Sequence, residues 1–299
     1  MSVQASLLHE HYAHARRRGV LRFLGEVLGY PVRIWQHRLL VQNFFRRELF
    51  GRFRGSFLGV FWVLVQPIFL FSIYFFVFGF MFGTKFGGQV GPGFAVYMLS
   101  GLLVVTAFME ATLRSCTVVV ENGNLVKKVA FPCELLPVHL VAVSTMVFLV
   151  GAIVLMAIGL PTGTITPDAR ILLWPVVLLV QIVFCLGVGL LLACVHVFMR
   201  DASHIWGLLG QAWMFLSPGF WWMEGPDGLL AKASWAEWLR LNPLYPLLQA
   251  HRLSLGVTPS HVDGTLTGHL LTASAWAVGM LTVGHALFIS RREKFADLV

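Results

Sequence analysis

A chain of 299 residues in which 57% are hydrophobic and only 12% charged, with a mean hydropathy of +0.76, has too little polar surface for a water-soluble globule and reads as an all-α polytopic membrane protein. The formal net charge of +8 is accounted for by membrane topology, which leaves little ground for a nucleic-acid partner. Cys116, Cys133, Cys185 and Cys194 fall in apolar runs or on their inner flank and form no C-x-x-C pair, so neither a disulfide framework nor a metal or redox centre is expected.

The first 55 residues are rich in Arg and hold no signal-peptide core, so 1–55 is assigned to the cytoplasm, uncleaved. His9, His11 and His14 have only Glu10 as a nearby carboxylate, and a solvated or headgroup-facing segment accounts for them better than a metal site. Residues 34–54 predict a helix lying along the membrane surface. Trp35, Leu39, Leu49, Phe50 and Phe53 gather near one face, Arg47, Arg52 and Arg54 lie off it, and Gln42 and Arg46 interrupt it. Gly51 and Gly55 mark the bend into the first span. Such a helix either positions a partner protein or is a plain positive-inside anchor, and the pattern suits both.

Six apolar runs answer to the roughly 20 residues needed to cross about 30 Å of hydrocarbon: 57–82, 94–113, 135–160, 171–199, 203–222 and 270–290. Each is expected to be helical, because lipid offers an unpaired backbone no partner. Six crossings return the chain to its starting side. Sixteen Lys and Arg residues then lie inside: those of the N-terminal segment with Lys127, Lys128, Arg200, Arg291, Arg292 and Lys294. Five lie outside, namely Lys85, Arg170, Lys232, Arg240 and Arg252, while Arg114 sits at the inner end of the second span. The expected division is a six-helix membrane domain over 56–290 and a cytoplasmic tail over 291–299, in a bacterial inner membrane with both termini in the cytoplasm.

Aromatic residues dominate the spans. On the first, Trp62, Phe69, Phe76 and Phe80 share one face, and Phe57, Phe71, Phe75, Phe78 and Phe82 a second; on the fifth, Trp206, Trp213 and Phe220 recur at heptad spacing. Such stripes suit the C–H faces of sugar rings passing through a channel, and they equally suit helix packing or lipid contact. Charge is scarce. Glu110 stands well inside an apolar run with Arg114 one turn on, and a local ion pair explains it better than a proton relay. Ion-coupled transport needs buried titratable groups, so the driving energy is expected from elsewhere. The segment 121–137, ENGNLVKKVAFPCELLP, is a compact basic turn between two spans and reads as a docking element.

The loop 83–93 is a plain Gly-rich connection, and no G-x-x-x-x-G-K-[ST] occurs, so the chain carries no nucleotide-binding loop of that kind. Between the fifth and sixth spans, 229–241 and 244–255 predict two short helices parted by Asn242 and Pro243. They are too short to cross and carry Trp235 and Trp238, which suits an outer-leaflet or re-entrant lid over 225–267.

In order, RRELFGRFRGSFLGVFWVLVQP (46–67), LVKKVAFPCELLP (125–137), Arg200-Asp201 and LNPLYPLLQAHR (241–252) resemble the transmembrane permease of polysaccharide-exporting ABC transporters, the branch for O-antigen and its teichoic-acid and capsule relatives. The resemblance covers the chain from about residue 40 onward. It departs at Cys133, where the family usually has Arg, and at 217–220, where a Pro-Ile step is usual. The resemblance implies a homodimer of six-span subunits bound to two copies of a separate nucleotide-hydrolysing subunit, which would hold ATP and Mg; this chain would need no cofactor and catalyse no reaction. It makes the loop 121–134 the coupling element, carried by Asn124, Leu125, Lys127, Lys128, Phe131, Pro132 and Glu134. Arg46, Arg47, Glu48, Arg52 and Arg54 of the interfacial helix would form a second partner contact. Trp235, Trp238, Asn242 and Pro243 would belong to a periplasmic gate, and the aromatic stripes to a channel for a lipid-linked glycan. Two other readings stand: an export permease of the same fold for a drug, haem or lipid, and a membrane-embedded glycan-modifying enzyme. His139, His196 and His285 show no partner group of the kind the latter requires.

Overall fold

The computed structural model describes residues 25, 29–52, 54–81, 92–127, 132–219, 221, 234–257 and 264–299. His9, His11, His14, Phe53, Lys128, Phe131, Phe220 and the loop from 83 to 91 lie outside the described residues, as do the side chains of Phe80 and Trp235.

All the regular elements among the described residues are helical. Two short helices, α1 (Tyr30–Gln36) and α2 (Arg38–Gly51), precede the membrane domain. A 3-10 turn (Gly59–Phe61) leads into α3 (Trp62–Phe75), which passes into a π-helical stretch (Phe76–Met81). The long helix α4 (Pro92–Glu121) is followed at once by the short α5 (Gly123–Val126). Then come α6 (Leu136–Gly159), α7 (Trp174–Phe198), α8 (Ala202–Leu216), the 3-10 helix Ser234–Leu241, α9 (Leu244–Leu255), α10 (Leu266–Arg291) and α11 (Phe295–Leu298).

Among the described residues, four segments are long and apolar enough to cross a membrane: Ala95–Glu121, Cys133–Gly159, Ala169–Phe198 and Leu266–Leu298. The first and fifth expected spans take other forms. Pro67 sits inside α3, and the helix then widens into the π stretch, so the run is divided among three helical geometries. Helix α8 has 15 residues, about 22 Å of rise, and ends at Ser217, whose backbone is extended. The second span, expected to stop near Leu113, continues two turns further to Glu121 and forms a rod of about 45 Å.

Helix α4 is the axis of the bundle, packed by α6, α7, α8 and α9 along a nearly continuous buried surface. Helices α7 and α10 form the most extensive pairing among the described residues. They approach so closely because small residues meet: a Cβ on Gly284 would run into the Gly187 carbonyl, and one on Gly187 into the Met280–Leu281 peptide. Helix α9 has the bounds expected from sequence. Residues from Leu244 to Arg252 are buried, and the helix is wedged against α4, α7 and α10. Its end is closed by Gly256 at φ 71°, and Ile165 and Val257 bridge it to the α6–α7 connection.

The single interfacial helix expected over 34–54 is two helices broken at His37. The apolar residues split as well: Leu49 is buried, whereas Trp35, Leu39 and Phe50 point away. Helix α2 packs along α6, where Phe44 stacks on His139 with ring centroids 5.3 Å apart. The bend into the first span falls at Gly55 and Gly59, both at positive φ.

The α7–α10 crossing makes a direct prediction. Gly284→Ala should destabilise the purified protein by about 1–3 kcal/mol in denaturant unfolding through overpacking, whereas Gly279→Ala, on the same helix facing open space, should leave the midpoint unchanged. Equal effects would refute the close crossing.

Candidate functional site

The basic turn is built as an extension of α4. Asn122 ends that helix, donating its side-chain amide to the Val118 carbonyl (2.8 Å), and its own carbonyl accepts from the Leu125 and Val126 amides (2.8 and 3.1 Å), which starts α5. Val126 is buried and Leu125 half-buried, while Asn124 and Lys127 are exposed. Beyond Pro132, a 3-10 turn (Cys133–Leu135) leads into α6. Glu134, expected to face a partner, is internal, with its side chain 3% exposed. Arg33 of α1 and Arg292, just after α10, reach its carboxylate at 3.3 and 3.7 Å. The Tyr30 hydroxyl donates to its backbone carbonyl (2.9 Å). Burial first, and then the Glu134 charge, hold the Tyr30 hydroxyl protonated far above its usual range. The turn is therefore pinned at one end by both flanking regions of the chain and presents its surface at the other.

Beside it, α2 meets the middle of α4 through ion pairs. Glu110 pairs with Arg52 and Arg114 with Glu48, and Arg52 Nε lies 3.6 Å from Glu48. The expected Glu110–Arg114 pair along one helix is thus replaced by pairs between two helices, because α2 brings an opposite charge to each. Arg46, Arg47 and Arg54 are exposed, and the Arg47 guanidinium lies 4.9 Å over the Phe44 ring.

The two aromatic stripes have different surroundings. Trp206 and Trp213 are partly buried against α4: their rings meet edge to face at 5.6 Å, and Phe108 lies 6.2 and 5.6 Å from them. Trp206 Nε1 donates to Thr112 Oγ1 at 3.0 Å. On α3, by contrast, Phe69 is 65% exposed and Phe76, in the π stretch, 59%. Trp62 and Phe69 face a cavity of about 550 Å³ enclosed with Leu99, Thr106 and Glu110 of α4 and Val147 of α6.

At the other end of the bundle, Asn242 joins three elements. Its Oδ1 accepts from Trp213 Nε1 (2.7 Å) and the Leu244 amide (3.0 Å), and its Nδ2 donates to Ser217 Oγ (3.0 Å). One side chain therefore fixes the end of α8, the start of α9 and the orientation of Trp213. Pro243 is the N-cap of α9, and Trp238 is exposed.

A family model for ABC-2 type transporters matches residues 40–255. The chain belongs to the ABC-2 type transporter family. It is 28% identical over 266 residues, 89% of this chain and 97% of the relative, to the O-antigen export system permease protein RfbA of Myxococcus xanthus. Two proteins of that name from Klebsiella pneumoniae are each 23% identical, over 256 and 259 residues, covering 85% of this chain and 92% of the relative. An ABC-2 chain is a membrane-embedded transporter component and implies an ATPase subunit beside it.

The ABC-2 match ends at Leu255, the last residue of α9, and includes a site that sequence reasoning missed. Arg252, counted from sequence among the outer charges, is wholly buried. Its guanidinium donates to Ser100 Oγ (3.2 Å), the Tyr97 hydroxyl (2.7 Å) and the Gly219 carbonyl (2.7 Å), and it lies 3.5 Å over the Tyr97 ring. Neutral oxygens and one aromatic face thus solvate a cation in the bundle. The available signal was the single Lys or Arg in a 12-residue helix that holds no carboxylate. Gly101 admits this arrangement, since a Cβ there would strike the Gly219 carbonyl.

The Asn242 junction is testable by a double-mutant cycle. Trp213→Phe and Asn242→Ala each remove the same hydrogen bond, so their stability losses should fall short of additivity by about 1 kcal/mol in the purified permease. Strict additivity would show that the bond contributes nothing.

Proposed function

We propose that this chain is the membrane-spanning permease of an ATP-driven exporter that moves a lipid-linked cell-surface polysaccharide, of the O-antigen kind, across the bacterial inner membrane. The observation that carries the reading is similarity, over nearly the whole chain, to permeases named for O-antigen export in two bacteria, within an ABC-2 match. In this reading the first span is the composite helix over 59–81 and the fifth is α8 with the turn after it, which makes six crossings with both termini cytoplasmic. Sixteen basic residues on the inner side against four on the outer, the buried Arg252 set aside, support that orientation.

Two copies of the chain pair, and each binds one nucleotide-hydrolysing subunit, which holds the ATP and Mg. Helix α5 is the coupling helix, with Asn124 and Lys127 as its exposed contacts and Lys128, Phe131 and Pro132 completing the surface. Glu134 acts from within by holding the segment to α1 and the tail. Residues Arg46, Arg47 and Arg54 of the α2 region offer a second contact, while Glu48 and Arg52 tie that region to α4. A push on α5 is passed to the α4 rod, since only Asn122 stands between them. The rod carries Phe108 and Thr112, and with them Trp206 and Trp213, whose bond to Asn242 leads to α9 and the outer gate with Pro243, Trp235 and Trp238. Trp62, Phe69, Phe76 and Phe80 from one stripe, and Trp206, Trp213 and Phe220 from the other, supply the surfaces along which sugar rings slide.

Replacing Lys127 and Lys128 together by Glu tests the coupling surface. The variant should insert at normal levels, lose most ATPase subunit on co-purification, and export no polysaccharide. Export at the unaltered rate with normal expression would remove both lysines from the coupling surface.

A further inference from the structure

The chain stays packed beyond α10. Arg292–Lys294 tighten into a 3-10 turn, and α11 then places the Phe295 ring, wholly buried, 5.0 Å from that of Phe288 in α10 and 6.2 Å from that of Phe198 at the end of α7, edge to face in both cases. A flanking segment this short holds its place only where packing ties it down, and Phe295 does so. Since α7 and α10 are themselves closely paired, the segment is seated on their neighbouring ends.

The same segment touches both limbs of the basic turn. On the first limb, a Cβ on Gly123 of α5 would stand 3.4 Å from the Cβ of Val299, at van der Waals contact. On the second, Arg292 reaches the Glu134 carboxylate at 3.7 Å, in the 3-10 turn that leads into α6. The exposed Lys127 lies between these two contacts in the sequence. Helix α5 has only four residues and no side-chain cap, and of its side chains only Val126 is buried. Isolated helices under about 12 residues are marginal in water, so α5 keeps its shape and angle through what it leans on. Asn122 fixes where it starts, and Val299 and Arg292 fix how the turn lies.

We propose that residues 292–299 brace the coupling turn, with Phe295 and Val299 as positioning residues that set α5 on the ends of α7 and α10, so that a push on α5 reaches that pair as well as α4. The assignment rests on the coupling reading of α5 given above. The brace moves with α5 as one body: no glycine or proline from His285 to Val299 offers the usual hinge, and Phe295 is held between rings of two helices.

The test uses the full permease with its ATPase subunit in proteoliposomes, and as probe the lipid-linked glycan extracted from cells lacking the permease. In a double variant, Gly123→Cys with Val299→Cys, the Cβ spacing suits a disulfide. Mild oxidation should form it and peptide mass spectrometry detect it, with the single variants as controls for a bridge to the free Cys133. The bridged complex should export as fast as the same complex after reduction. Absence of the bridge overturns the contact. A bridge that halts export until it is reduced overturns the brace, since the segment would then have to leave α5. Phe295→Ala should lower the glycan exported per ATP hydrolysed about fivefold or more, and Phe295→Leu should restore most of it. An unchanged ratio, whatever the amount of complex recovered, overturns the positioning role. If Phe295→Ala fails to insert, the bridged complex decides alone. Failure of the coupling reading is separately visible: the double charge reversal at Lys127 and Lys128 would then keep its ATPase subunit, whatever the bridge does.

Discussion

Polar side chains spaced along α4 fix the places of several neighbours, and the rest of the molecule depends on that division. Tyr97 and Ser100 hold Arg252 of α9; Thr112 holds Trp206 of α8; Glu110 and Arg114 hold the interfacial α2; Asn122 starts α5. In an apolar bundle there is no hydrophobic gradient to steer one helix against another, so small-residue crossings and polar contacts set the arrangement. Here small residues join α7 to α10, and polar ones join the α2 region, α8 and α9 to α4.

That arrangement suits a machine driven from one end. A helix of 30 residues runs unbroken from Pro92 to Glu121 with its neighbours attached at intervals. The elements at the two ends are attached differently. At the α5 end, Arg33 and Arg292, from two distant parts of the chain, converge on the buried Glu134 carboxylate. At the α9 end, neutral hydrogen bonds from Asn242 and Arg252 tie short, irregular pieces to the rod. The first-span helix is the exception: among the described residues it is bordered by cavities.

Much of this was legible in the sequence, for definable reasons. The second, third, fourth and sixth spans were visible because long apolar runs have few other uses, and α9 was found at its true bounds because Pro243 and Gly256 punctuate it. The first and fifth were less so, because Pro67, the π stretch and the extended backbone at Ser217 interrupt regular helix without interrupting hydrophobicity. Partners were the least legible. Glu110 was matched to Arg114 because local spacing is all a periodicity argument sees, whereas its actual partner, Arg52, lies 58 residues away. Glu134 looked like a surface charge because its partners are about 100 residues before it and well over 100 after it in the chain. The aromatic stripes were found, but not that one is anchored on Phe108 and the other borders open space.

The central claim is that this chain carries a finished, lipid-linked polysaccharide out of the cell interior. Its most direct measurement is the fate of that glycan in cells from which the permease alone is deleted. The account predicts loss of surface polysaccharide together with accumulation of the lipid-linked glycan on the inner face, reversed by the intact gene. Normal surface polysaccharide, or its loss without any internal glycan, would contradict it.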